Sequence, residues 1–154
     1  MATDPTRVLF ICMGNICRSP LAEGLFLHRL RERSLADRFE VDSAGTGGWH
    51  AGNPPDERSN DVAARNGVTL VSQARQVVND DFEHFDLLVC MDDQNVQELL
   101  EMNCPPDRIR NLMSYAPDSD HDHVPDPYYG GADGFELMYR LIDAAVLGLI
   151  DSFD

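Results

Sequence analysis

The chain has 154 residues, in which 27 acidic side chains face 12 basic ones, every basic residue is arginine, and the formal net charge is −15. A chain of this length fits one domain that buries most of its apolar surface without staples, and its charge excludes nucleic acid and anionic membranes as partners, because both require a basic footprint. No apolar run reaches the roughly 18 residues of a membrane span, and the opening MATDPTR lacks the apolar core of a signal peptide, so a soluble cytoplasmic protein is expected.

In chain order, residues 7–12 read as a first strand that ends on Cys12. Residues 13–18 read as a loop leading into a helix over 19–34, with Ser19 as N-cap and Pro20 at the first helical position. Strands are then expected over 39–44, 85–91 and 108–113, and helices over 55–66, 92–103 and 131–153. In the last helix Phe135, Met138, Leu141, Ile142, Ala145, Leu149 and Ile150 recur at helical spacing and form a core face. Strands alternating with helices imply βαβ units. The expected fold is α/β: one three-layer domain over residues 1–154, a four-stranded parallel sheet with helices on both faces. The ligand site of such a sheet lies beyond the carboxyl ends of its strands, at the topological switch point. Cys12 stands at one of those ends.

The segment after Cys12 has the makings of an anion site. A loop entering a helix N-terminus points successive backbone N–H groups inward, and the helix dipole reinforces them. Gly14 and Asn15 allow the curvature at low strain. Walker A spacing is absent, so this is no nucleotide P-loop. The added feature is a thiol at its centre. A thiolate of Cys12 would attack phosphorus, and Arg18 would hold two phosphoryl oxygens as a planar fork. The residues read as phosphate-binding are Met13, Gly14, Asn15, Ile16, Cys17 and Arg18. On spacing alone C-x5-R is also compatible with a buried structural cysteine and a surface arginine.

The other candidate groups read as structural. Cys12, Cys17, Cys90 and Cys104 contain no C-x2-C pair, which argues against structural zinc, and Cys90 falls inside an apolar strand. His121 and His123 stand two apart in an acidic loop and read as solvated, so no metal site is expected. His28, His50 and His84 carry no readable signal.

The segment CMGNICRSPLAEG closely resembles the active-site loop of low-molecular-weight protein tyrosine phosphatases. The likeness continues through DSAGTGGWHAGNPPD (42–56), QARQV (73–77), FDLLVCMD (85–92) and DPYYGG (126–131). The resemblance implies a phosphotyrosine protein phosphatase I-like fold and hydrolysis of phosphotyrosine through a cysteinyl-phosphate intermediate, without metal or organic cofactor. Cys12 is then the nucleophile, Arg18 the phosphate clamp and Asp126 the general acid and base; DPYYGG is otherwise a Pro-Gly turn with two packing tyrosines. Asn15, Ser19 and Ser43 support the loop, Tyr128, Tyr129 and Trp49 wall the substrate slot, and Cys17 forms a reversible disulfide with Cys12. The partners implied are phosphotyrosine-bearing proteins and an opposing tyrosine kinase, with inorganic phosphate as product. Some relatives carry histidine where this chain has Ser72, which removes any bracing role at that position.

Three related chemistries compete. An arsenate reductase of the same fold needs further cysteines to relay a disulfide, and only Cys90 and Cys104 are on offer. A phosphocysteine carrier needs neither Arg18 nor Asp126. A phosphoarginine phosphatase carries threonine where this chain has Ile16, whose apolar side chain favours an aromatic substrate.

Overall fold

Seven residues from Thr6 to Cys12 form the central strand β1 of a computed structural model that describes residues 4–128 and 131–153. β1 pairs in parallel with β2 (Phe39–Gly45) on one side and with β3 (Leu87–Cys90) on the other, and β4 (Ile109–Asn111) extends the sheet from β3. The strand order is β2-β1-β3-β4, so the chain leaves β1 in one direction and returns on its other side. That reversal is the switch point. The register aligns Cys12 with Gly45 and Ile11 with Cys90, placing the carboxyl ends of the strands at one edge of the sheet.

The alternation of β1 sorts the core. Val8, Phe10 and Cys12 face the layer of α1 (Arg18–Glu32), α2 (Glu57–Arg65) and α5 (Ala132–Asp151), while Leu9 and Ile11 face the layer of α3 (Asn79–His84) and α4 (Asp93–Glu101). Phe10 and Phe26 are fully buried and meet edge to face, 5.5 Å between ring centroids. Burying each such ring stabilises the fold by about 1.5–3 kcal/mol. All the apolar positions expected on the last helix lie in the first layer's core.

Some boundaries differ from those the sequence suggests. α1 begins at Arg18 with Cys17 as N-cap, so Ser19 lies inside the first turn and Pro20 one residue further in. The third strand is shorter than 85–91, and residues 112–115 close into a 3-10 turn because Asn111 Oδ1 accepts the Met113 N–H at 3.2 Å. α3 lies in a stretch to which the sequence assigns no element. No helix among the described residues is long and apolar enough to cross a membrane.

Candidate active site

The loop after β1 is held from outside through its carbonyls. Thr46 donates its N–H to the Cys12 carbonyl, Gly47 to that of Met13 and Asp56 to that of Ile16, at 2.8–2.9 Å. In a trans peptide the N–H points opposite to the preceding C=O. The amides of Met13, Gly14 and Cys17 therefore face away from those three donors. Asn15 turns the corner in the left-handed region, φ 57°, and its own N–H reaches the Cys12 sulfur at 3.3 Å. Gly45 allows the loop to lie this close, since a Cβ there would meet the Met13 carbonyl at 2.7 Å and the Asn15 nitrogen at 3.2 Å.

Side chains complete the frame. The Asn15 amide is 1% exposed and uses every polar atom: Nδ2 donates to Ser19 Oγ at 2.7 Å and to Ser43 Oγ at 3.0 Å, while Oδ1 accepts the Arg75 N–H at 3.0 Å. Ser19 Oγ lies 3.0 Å from Cys12 Sγ, and Ser43 donates its hydroxyl to Glu23 Oε1 at 2.6 Å. Arg75 is anchored in turn by paired bonds to Asp81 and by a contact with Asp42.

Arg18 is almost completely buried. Its Nη1 donates to Asp92 Oδ2 at 2.6 Å and to the Val124 carbonyl at 3.0 Å, and its Nη2 lies 3.7 Å from Asp126 Oδ2. Burial pulls its pKa down, but the charges of Cys12, Asp92 and Asp126 outweigh that, and the group sits above the ordinary arginine value. Asp92 serves two elements at once, because its Oδ1 accepts the Asn95 N–H and caps α4.

These groups open onto one cavity of about 390 Å³. Cys12, Met13, Gly14, Ile16, Cys17 and Arg18 line it, together with Asp126, Trp49, His50 and Tyr128. Tyr128 is fixed by its N–H to Asp126 Oδ1, by the Arg58 guanidinium 5.5 Å over its ring, and by the His50 ring 6.1 Å away. Trp49 presents an indole that is 72% exposed. Burial, then the charges of Asp56, Cys12 and Asp126, push the Cys17 thiol up to about 12.

The structure thus brings Cys12, Arg18, Asp126, Trp49 and Tyr128 around one space, and Asn15, Ser19 and Ser43 behind the loop. Tyr129 lies outside the described residues. Sequence reasoning missed Asp92, Glu23, Arg75 and His50. The pattern Asp92-x-x-Asn95 at a strand end marks Asp92 as a helix cap, whereas nothing in the spacing of Glu23 or His50 distinguishes them. His123 pairs with its neighbour Asp122, and Cys90 and Cys104 are buried in the α3/α4 layer, away from the cavity.

Comparison with known proteins gives a consistent result. A family model described as low molecular weight phosphotyrosine protein phosphatase matches residues 7–154. A low molecular weight protein-tyrosine-phosphatase of Streptomyces coelicolor is 44% identical over 151 residues, covering 94% of this chain and 91% of the relative. Among solved structures, a protein tyrosine phosphatase from Entamoeba histolytica with Hepes in its active site superposes with a TM-score of 0.93 at 36% identity, covering 96% of each chain. A Drosophila arginine phosphatase superposes with a TM-score of 0.89 at 32% identity, covering 96% of this chain and 97% of that one.

Proposed function

We propose that this chain, which belongs to the low molecular weight phosphotyrosine protein phosphatase family, hydrolyses phosphotyrosine in proteins with Cys12 as nucleophile, Arg18 as phosphate clamp and Asp126 as general acid and base. The observation that carries the reading is the convergence of a thiol, a buried guanidinium and a carboxyl on one cavity, with Arg18 3.7 Å from Asp126.

The steps follow from the groups present. A phosphoryl dianion seated over the loop receives the N–H groups of Met13, Gly14 and Cys17 and the Nε/Nη2 edge of Arg18, whose Nη1 is already committed. The Cys12 sulfur forms a bond to phosphorus while the P–O bond to the tyrosyl ring breaks. Asp126 gives its proton to the departing phenolate, whose conjugate acid has a pKa near 10. In the second step a water attacks the phosphocysteine, Asp126 takes its proton, the S–P bond breaks, and inorganic phosphate leaves. Ser19 and the Asn15 N–H supply hydrogen bonds that the sulfur accepts as a thiolate in both steps.

Trp49 and Tyr128 suit an aromatic ring, and the apolar Ile16 side chain of the loop offers no partner to a guanidinium substrate, so phosphotyrosine is favoured over phosphoarginine. Arsenate reduction lacks its relay, since neither Cys90 nor Cys104 lines the cavity. Cys12 and Cys17 both line it, and their disulfide is the proposed reversible oxidised state. The opposing kinase enters this reading only as the source of the substrate.

The test combines two variants. Cys12→Ser abolishes turnover while inorganic phosphate and vanadate still bind. Asp126→Asn lowers kcat by about 10²–10⁴-fold for a phenyl phosphate with a poor leaving group, and far less for one whose leaving group needs no proton. Turnover surviving in Cys12→Ser, or equal losses on both substrates in Asp126→Asn, would exclude this assignment, and phosphoarginine and phosphoserine assayed beside phosphotyrosine fix the substrate class.

A further inference from the structure

We propose that Glu23 is a positioning residue of the catalytic loop: from behind the loop its carboxylate anchors, through Ser43, one end of a chain of hydrogen bonds whose other end is the Cys12 sulfur. The inference rests on the assignment of Cys12 as nucleophile.

Glu23 stands one turn along α1 from Ser19 and is 7% exposed, with no guanidinium bonded to it among the described residues. Among the described residues it accepts the Ser43 hydroxyl in a short bond, Oγ to Oε1, at 2.6 Å. A carboxylate accepts and cannot donate, so in that state the Ser43 proton is committed to Glu23. The Ser43 oxygen then serves as acceptor for one Asn15 Nδ2 hydrogen, and the second Nδ2 hydrogen goes to Ser19 Oγ. With its oxygen accepting from Asn15, Ser19 turns its own proton to the Cys12 sulfur at 3.0 Å. Asn15 cannot flip to reverse the order, because its Oδ1 is held by the Arg75 N–H. Every proton from Glu23 to the sulfur is thereby assigned.

Protonated Glu23 breaks this order at its source. Its hydroxyl competes to donate to Ser43, whose own proton loses its acceptor, so Ser43 Oγ is no longer a committed acceptor for Asn15 Nδ2 and one of the three anchors of the Asn15 side chain weakens. The change falls in the working range of pH. Burial pushes the carboxyl up to about 7; the Ser43 bond opposes that shift, Asp42 on β2 adds to it, and Arg75 opposes it. Arg31 on α1 shares with Glu23 the wall of a second cavity, about 210 Å³ and separate from the active site, through which the carboxyl exchanges protons with solvent.

The test uses two variants at the same carboxyl. Glu23→Gln keeps an oxygen to accept from Ser43 and removes the ionisation; Glu23→Leu removes both. Measured as kcat on p-nitrophenyl phosphate from pH 5 to 9, the wild-type to E23Q ratio climbs through about pH 7 and levels above it, since every other ionisation is common to both and cancels. E23L loses about tenfold in kcat at pH 8, and E23Q restores it. A ratio that is flat with pH, or wild-type kcat in a folded E23L, overturns the proposal; if E23L does not fold, the E23Q ratio decides alone. Cys12→Ser separates the levels. Turnover persisting there overturns the nucleophile assignment, whereas an inactive Cys12→Ser with a flat E23Q ratio overturns only the role of Glu23.

Discussion

Asn15 holds a left-handed backbone at φ 57° while its side chain makes three hydrogen bonds, so the corner of the loop is over-determined by partners from α1, β2 and the Arg75 segment. Strain of this kind persists only where the surroundings enforce it, and here the enforcement runs back to a buried acid. Glu23 accordingly has a cost in stability as well as a use. An acid whose folded pKa lies above its unfolded value binds its proton more tightly in the folded state, so its contribution is favourable at low pH and is lost as pH rises. From the ordinary 4.5 to about 7 the loss amounts to about 3 kcal/mol. Glu23→Gln does not titrate, so its melting temperature relative to wild type should climb by several degrees between pH 5 and pH 8 and stay level above that. A difference in melting temperature that is constant with pH would place the carboxyl in an ordinary environment. Cys17 shows the opposite consequence of burial. With its thiol pushed up to about 12 it remains protonated near neutrality, so the proposed disulfide with an oxidised Cys12 forms faster as pH rises.

At the scale of elements, α4 and the active site share one residue. Asp92 caps the helix with Oδ1 and aligns Arg18 with Oδ2, which ties the start of α4 to the geometry of the clamp. Asp92→Asn keeps an oxygen for the cap and removes the charge facing the guanidinium; Asp92→Ala removes both. The asparagine variant keeps the cap but loses the acceptor for Arg18 Nη1, so it should melt between wild type and the alanine variant and bind inorganic phosphate about tenfold more weakly. The alanine variant should also lose about 3 kcal/mol or more of stability, from the lost cap and from removing the nearest carboxylate of a buried arginine. Thermal melting and phosphate inhibition constants distinguish the two, and equal phosphate affinity in all three proteins would show that Arg18 is oriented without Asp92. The same scale explains what the sequence reveals and what it hides. β1 and β3 are legible because their apolar runs end at turn signals, β2 because Phe39 and Val41 alternate with Glu40 and Asp42, and the loop at Cys12 because its chemistry is local. Helix α3 has six residues, too few for a period to register, and it exists because the Asp81 carboxylate accepts the Val78 N–H while pairing with Arg75. Residues 112–115 follow the strand with apolar Leu112 and Met113, and the Asn111 side chain bends them into a turn together with the Ser114 hydroxyl, which donates to the Asn111 carbonyl at 2.7 Å. Asp92 and Glu23 are hidden for a related reason: their partners lie 74 and 20 residues away along the chain, on other elements.

Over the whole molecule the charge of −15 governs the response to ions. Arg7, Arg18, Arg29, Arg33, Arg58, Arg65 and Arg75 each hold an acidic partner, and even full pairing of the 12 arginines leaves an excess of acid that meets only other acid. Salt acts on the two populations with opposite sign. It weakens the pairs, most of which are surface contacts worth about 0–1 kcal/mol, and it screens the repulsion of the unpaired acids, with a Debye length falling from about 10 Å at 0.1 M to about 3 Å at 1 M. The excess of repulsion over attraction decides the balance, so the melting temperature should rise with potassium chloride from 0.1 M through the molar range. The hypothesis this supports is adaptation to a salt-rich interior. The competing account, a genome whose composition replaces lysine by arginine, explains the missing lysine but not nineteen aspartates. Catalysis feels the same field, since an anionic phosphopeptide approaches a negative molecule whose positive charge at the cavity is the buried Arg18. With a peptide of neutral flanks, kcat/KM should first increase with salt as the global repulsion is screened, then fall as the attraction at Arg18 is screened in turn. A melting temperature that is flat or falling would sink the adaptation hypothesis, and a kcat/KM that declines from the first addition of salt would mean that the local field of the loop already dominates the encounter.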